Sequence, residues 1–178
     1  MEGGALALQA PTQAPPQAVY TVLSTPPTST QVAAALKLSN VAAGALATLA
    51  KGHPVNAITI SEEGGLLPLI ELLAPGASKG THEHATRALW HLAAMDEIQA
   101  EIKEKGGLAP LIALLGDENE ILCQQYAAAA IEALARDHHE NQIALAKAGA
   151  IGPLVALLGS VNVKTQEHAV YTLTSDDL

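Results

Sequence analysis

Gly106-Gly107-Leu108-Ala109-Pro110-Leu111-Ile112-Ala113-Leu114-Leu115 lies near the middle of the chain and has a near copy on either side. Upstream stands Gly64-Gly65-Leu66-Leu67-Pro68-Leu69-Ile70-Glu71-Leu72-Leu73, and downstream Gly149-Ala150-Ile151-Gly152-Pro153-Leu154-Val155-Ala156-Leu157-Leu158. The first glycines are 42 and then 43 positions apart. A period of that length, filled with helix formers, is the signature of a solenoid of stacked helices. Such a fold presents a long surface to other proteins, which points to a binding module before a catalyst.

Each copy organises its surroundings in the same way. A short helix precedes the glycines, as in Asn56 to Glu63, Asp96 to Lys105 and Glu140 to Lys147. The Gly-Gly or Gly-Ala step ends that helix, because a sharp turn needs backbone freedom that glycine supplies. A second helix carries the Leu-Leu ending, with Pro68, Pro110 and Pro153 in its first turn, where the missing N–H costs no intrahelical bond. After a loop comes a long third helix. Val41 to Ala50, His84 to Ala93 and Tyr126 to Ala135 align there, with His168 to Leu173 aligning in part. At 100° per residue, Ala85, Ala88, Leu89 and Leu92 share one face, as do Ala127, Ala130, Ile131 and Leu134. Those columns are the predicted core, and no repeat can bury them without a neighbour.

The composition agrees with this reading. Apolar residues make up 49% of the 178 positions, charged residues 15%, and Phe is absent. The net charge of −9 argues against general binding to nucleic acid or acidic membranes, which needs a concentrated positive surface. Cys123 is the single cysteine, so neither an intrachain disulfide nor a cysteine-based zinc cluster can form. The start, Met1-Glu2-Gly3-Gly4, lacks the basic region and apolar run of a secretory signal, and no stretch is long enough to insert in a membrane. These features predict an intracellular protein, cytoplasmic by default with the nucleus open.

Residues 1–30 differ from the rest. Pro11, Pro15, Pro16, Pro26 and Pro27 fall there among Gln, Thr, Ser and Ala, which reads as a flexible leader. Residues 31–178 form the helical domain, divided into a partial repeat at 31–50, repeats at 54–94 and 96–136, and an incomplete repeat at 139–178.

These motifs resemble the armadillo repeat. That pattern has a first helix of the form Asn-x-x-x-Ile/Leu-x-x-x-Gly, a step Gly-x-Ile/Leu-x-Pro-Leu-Ile/Val-x-Leu-Leu, and a long Ala-x-x-Ala-Leu-x-x-Leu-Ala helix. Asn141 to Val155 is the fullest copy, and the resemblance spans roughly 31 to 173. It implies an all-α, right-handed α-solenoid with three helices per repeat, whose third helices line a concave groove for an extended peptide or a partner domain. In importin-α type members a Trp and an Asn four residues apart on that helix form ladders for basic import peptides. The corresponding pairs here are Gly44 and Thr48, Arg87 and His91, Ala129 and Ala133, and Tyr171 and Ser175, so neither ladder exists.

The groove residues expected to face a partner are Arg87, Trp90, His91 and Ala94 on one third helix, then Ala129, Glu132, Ala133 and Arg136 on the next. Trp90 is the only Trp, and Trp and Arg often dominate binding energy. A competing structural reading has Trp90 packing against the adjacent repeat. His82/His84 and His138/His139 lack the Cys or acidic partners of a metal centre and read as helix-end residues. Cys123, in Ile121-Leu122-Cys123, reads as a small buried hydrophobe. No catalytic motif is present and no cofactor is called for. Asp117 to Glu120 is placed at a helix start, where acidic groups favour the dipole.

The expected function is therefore non-catalytic protein–protein interaction. Alternatives from the same resemblance are a substrate-recognition component linked to a ubiquitin ligase and a vacuolar or organelle adaptor. The third helix of the last repeat stops near Thr174, leaving Leu154, Val155, Leu157, Leu158 and Leu173 without a following repeat. The chain is then a piece of a longer array, or this uncapped C-terminal end self-associates. The ending Asp176-Asp177-Leu178 could also suit a carboxylate-binding pocket.

Overall fold

A computed structural model describes residues 29–116 and 120–174, with side chains from Ser39 onward. The expectations placed on the leader at 1–28, on Asp117, Glu118 and Asn119, and on Ser175 and Asp176-Asp177-Leu178 lie outside those residues. Ten helices run through the described residues. They are α1 Ser29–Ala50, α2 Pro54–Glu62, α3 Leu66–Glu71, α4 Lys79–Leu92, α5 Asp96–Glu104, α6 Leu108–Ala113, α7 Ile121–Ala135, α8 His139–Lys147, α9 Ile151–Leu157 and α10 Val163–Leu173. The packing described below belongs to the unit from Ala34 to Leu178.

The repeated turn forms for a reason visible in its backbone. Gly64, Gly106 and Gly149 all sit at positive φ, 77°, 79° and 87°. A side chain pays steric energy in that region and glycine does not. Each turn then closes with the same two bonds. Gly64 N–H donates to Ser61 O (2.8 Å) and Gly65 N–H to Ile60 O (2.9 Å). Gly106 and Gly107 repeat the pair on Lys103 and Ile102, and Gly149 and Ala150 repeat it on Ala146 and Leu145. This arrangement satisfies carbonyls that a helix end would otherwise leave open. Pro68, Pro110 and Pro153 each occupy the third position of the helix that follows.

Three sets of three helices result: α2–α3–α4, α5–α6–α7 and α8–α9–α10. The last set has all three of its members, though α10 has 11 residues against 14 and 15 in α4 and α7. Both predicted core columns are closed to solvent: Ala85, Ala88, Leu89 and Leu92, and Ala127, Ala130, Ile131 and Leu134, are all fully buried. Successive third helices form one layer, with α7 packed between α4 and α10. Polar side chains hold each first helix to the third helix before it. Asn56 Nδ2 donates to Leu49 O (2.9 Å), Gln99 Nε2 to Ala93 O (3.2 Å) and Asn141 Nδ2 to Leu134 O (2.9 Å). Each donor stands seven residues past the last leucine of the preceding third helix (Leu49, Leu92, Leu134), so the bond recurs with the repeat.

Two expectations need correction. Ala129 and Ala133 were placed on the open face of α7, but they are buried, at 2% and 7% exposure. The cause is the helix layer itself. An alanine-rich α7 lets α4 and α10 approach from both sides, and their approach covers positions that a single-helix projection leaves open. Of the residues expected on the open face of α7, Glu132 and Arg136 are the ones that reach solvent.

Candidate binding face

On α4 the residues Arg87, Trp90 and His91 stand three and four apart and so share a stripe along the helix. All three are half-buried, and Ala94 beyond them is exposed. Trp90 is the hub. Its ring stacks on His91 at 4.5 Å between centroids and on Tyr126 of α7 at 5.8 Å, and it meets the edge of His168 of α10 at 6.4 Å. One indole thus links α4 to both α7 and α10. It packs against the neighbouring repeat, as the structural reading has it, and also keeps part of its surface open.

Charge takes over on the next helix. Glu132 of α7 accepts from Arg136 Nη2 through Oε1 (2.6 Å) and meets His168 Nδ1 through Oε2 (2.6 Å). Both of its oxygens are engaged inside the chain, and its side chain is only 15% exposed. Arg136 is the open member of the pair, at 64%. Nearer the start of α4, Arg87 Nη2 donates to His84 Nδ1 at 3.2 Å, which leaves the hydrogen of that ring on Nε2. His91 titrates below its ordinary range. Burial is the main cause, with Lys51 and Arg87 adding positive charge beside it.

Trp90 and Glu132 are thus joined through His168, which meets both, and Arg136 extends this track from Glu132 while His91 and Arg87 extend it along α4. Tyr126 and His168 belong to the same track and were not singled out from sequence. A signal for them exists. Trp90 meets Tyr126, and Glu132 meets His168, at the same separation of 36 residues. A residue late in one third helix faces a residue six places earlier in the register of the next.

Other candidate groups have structural roles. His82 Nε2 bonds Ala74 O at 3.1 Å, and the His138 side chain caps α8 by accepting from Asn141 N–H at 3.4 Å. Cys123 is buried, and burial pushes its thiol pKa up, partly offset by a hydrogen bond with Thr86 of α4. A thiol held in that way is poorly nucleophilic. Among the described residues no group of three or more His, Cys, Asp or Glu is arranged to hold a metal ion, and no helix is long and apolar enough to cross a membrane.

Similarity to known proteins follows the same lines. The Armadillo/beta-catenin-like repeat family matches residues 138–175. Among solved structures, a designed armadillo repeat protein is 32% identical, with a TM-score of 0.72 over 76% of this chain and 56% of its own. A second, solved in complex with the peptide (KR)4, is 31% identical, with a TM-score of 0.70 over 75% of this chain and 56% of its own. An engineered protein is 28% identical, with a TM-score of 0.71 over 88% of this chain and 60% of its own. The chain thus spans a little more than half the length of these three solved proteins. No curated protein matches it. With its glycine turn repeated three times, three helices to each repeat and a family match over residues 138–175, this chain has the armadillo repeat fold.

Proposed function

We propose that the chain is a protein-interaction scaffold that holds an extended segment of a partner protein across its third helices, around Arg87, Trp90, His91, Glu132 and Arg136. The observation that carries this reading is the unbroken polar and aromatic track running from α4 to α10 with Trp90 at its centre. A similar designed protein holds a peptide, and armadillo scaffolds typically act without catalysis. In this chain the cationic groups along the track are Arg87, which donates to His84, and Arg136, which pairs with Glu132 and is still 64% exposed. Indole burial would supply the largest share of affinity, and guanidinium pairing would fix the register of the ligand.

Affinity capture with wild type beside an Arg87→Glu, Trp90→Ala double variant tests the reading. Partners retained by the wild type and lost by the variant, at a temperature where both remain folded, define the face. Identical partner sets would remove it. Arg87→Glu alone controls for stability, since it changes charge without emptying the ring stack.

A further inference from the structure

One seam between successive first helices holds an ion pair that the seam before it lacks. The glycine turn fixes the register, because Gly64 N–H donates to Ser61 O and Gly106 N–H to Lys103 O. Ser61 on α2 and Lys103 on α5 therefore hold the same place. Nine residues before the turn glycine of the following set stand Glu97 on α5 and Glu140 on α8. In the α5–α8 seam Lys103 Nζ meets Glu140 Oε2 at 2.9 Å, and only 25% of the lysine side chain is exposed. In the α2–α5 seam a serine stands where that lysine would be.

The short side chain leaves a cavity. About 310 Å³ opens between α2 and α5, lined by Ile58, Ser61, Glu62, Glu97, Ile98 and Glu101. Ser61 and Ile98 form its buried floor, and Glu62 and Glu97 stand exposed at its rim. Glu101 is already engaged, since Ser61 Oγ donates to its Oε2 and Lys105 pairs with its Oε1 at 3.5 Å. Among the described residues Glu62 and Glu97 have no cationic partner. Apolar walls below and two open carboxylates above are surroundings that suit an aliphatic stem with a charged tip.

We infer that this cavity is a docking site for a lysine side chain of a partner protein, which enters between α2 and α5 and pairs with Glu97. The argument for that occupant is the next seam, where the chain's own Lys103 fills the equivalent place on the equivalent carboxylate. The stem covers Ile58 and Ile98, while the ammonium stays at the rim within reach of water. Pairing there avoids the desolvation cost of a fully buried ion. The site lies on first helices and uses none of the residues around Trp90, so it extends the contact surface beyond the third helices.

Amide-resolved NMR on the full chain tests this, with N-acetyl-lysine methylamide as probe and its norleucine analogue as neutral control, at constant ionic strength. The lysine probe should shift the Ser61, Glu62, Glu97 and Ile98 amides saturably, with a Kd of about 10 mM, as suits a ligand of so few atoms. The norleucine analogue should not. Glu97→Gln keeps the shape of the site and should weaken binding about fivefold. Ser61→Lys should abolish the shifts by filling the cavity from within, and its melting temperature should match or exceed that of the wild type. Trp90→Ala should leave the Kd unchanged, which separates this site from the ligand face. Shifts that stay linear and spread over all exposed carboxylates, equal binding of the norleucine analogue, or a Kd indifferent to Glu97→Gln overturns the proposal. Should Ser61→Lys fail to fold, Glu97→Gln decides alone.

Discussion

The seam between α4 and α7 is closed by rings, while the seam between α7 and α10 is closed by charges. Trp90 on Tyr126 and Glu132 on His168 occupy the same register, one pair per seam. The backbone path is thus indifferent to what fills it, provided the columns beneath are small and apolar. Ala88, Ala127, Ala130 and Ala169 are all fully buried and set the helix spacing. Side chains above that layer are then free to differ, and the face can acquire a specific ligand without disturbing the fold.

Rings and charges differ in what they contribute, and a pair of substitutions makes the difference measurable. Trp90→Ala empties the centre of the aromatic seam. Complete truncation of a core aromatic costs about 3–5 kcal/mol, so a half-buried one should cost about 2–3 kcal/mol by urea unfolding. The loss should be unchanged by salt, since the stack is apolar. A cost below about 0.5 kcal/mol would show that the rings touch without stabilising, leaving the whole indole to the ligand.

The turns of the second and third sets sharpen the comparison from another side. A Cβ placed on Gly107 would sit 2.7 Å from Ile102 Cγ2 and 3.0 Å from Ile102 O. The third set has Ala150 in the same place, fully buried, and its counterpart of Ile102 is Leu145, which has no branch at Cβ. Gly107→Ala should therefore destabilise by about 2 kcal/mol through overpacking. Combined with Ile102→Leu it should recover at least half of that loss, a coupling read from the double-mutant cycle. Additive losses would mean that the close approach to Ile102 O or to Ile70, and not the branched methyl, sets the requirement for glycine.

Glu132→Gln probes the charged seam with little change of shape. Both hydrogen-bond positions persist, but the attraction of the carboxylate charge for Arg136 is lost. Because Arg136 is largely exposed, the expected cost is modest, about 1 kcal/mol at low ionic strength and less at high salt. Wild type should converge on the variant as salt is added. Trp90→Ala should show no such convergence, and a shared response to salt would erase the distinction between the seams.

Much of this architecture could be read before the coordinates. The glycine turns and the Ala/Leu columns repeat along the chain, so a local pattern carries them. The sequence pattern starts that helix at Asn56, and the observed start is Pro54, because proline suits the first helical position. What could not be read was which flank of α7 its neighbours would cover. Ala129 and Ala133 look open on an isolated helix and become buried only when α4 and α10 close in. Tyr126 and His168 escaped for a related reason. Their partners are set by the offset between adjacent helices, and a single helix contains no information about that offset.

His91 gives the smallest of these effects and ties the rings to solution conditions. It stacks on Trp90, and burial first, then Lys51 and Arg87, hold its pKa below the ordinary value near 6.5. In the window between that value and the lower folded one, the unfolded chain binds a proton that the folded chain refuses. Stability should therefore rise with pH across this window, being complete above it and reduced below. His91→Gln removes the group, so the difference in melting temperature between wild type and variant should shift in favour of the variant as pH falls from about 7 to 5. Parallel curves would mean that His91 accepts its proton as readily in the fold as out of it, and the ring seam would then carry no acid sensitivity from this residue. A ligand placing a carboxylate beside His91 should oppose the trend, because its charge would favour the protonated ring that Lys51 and Arg87 disfavour.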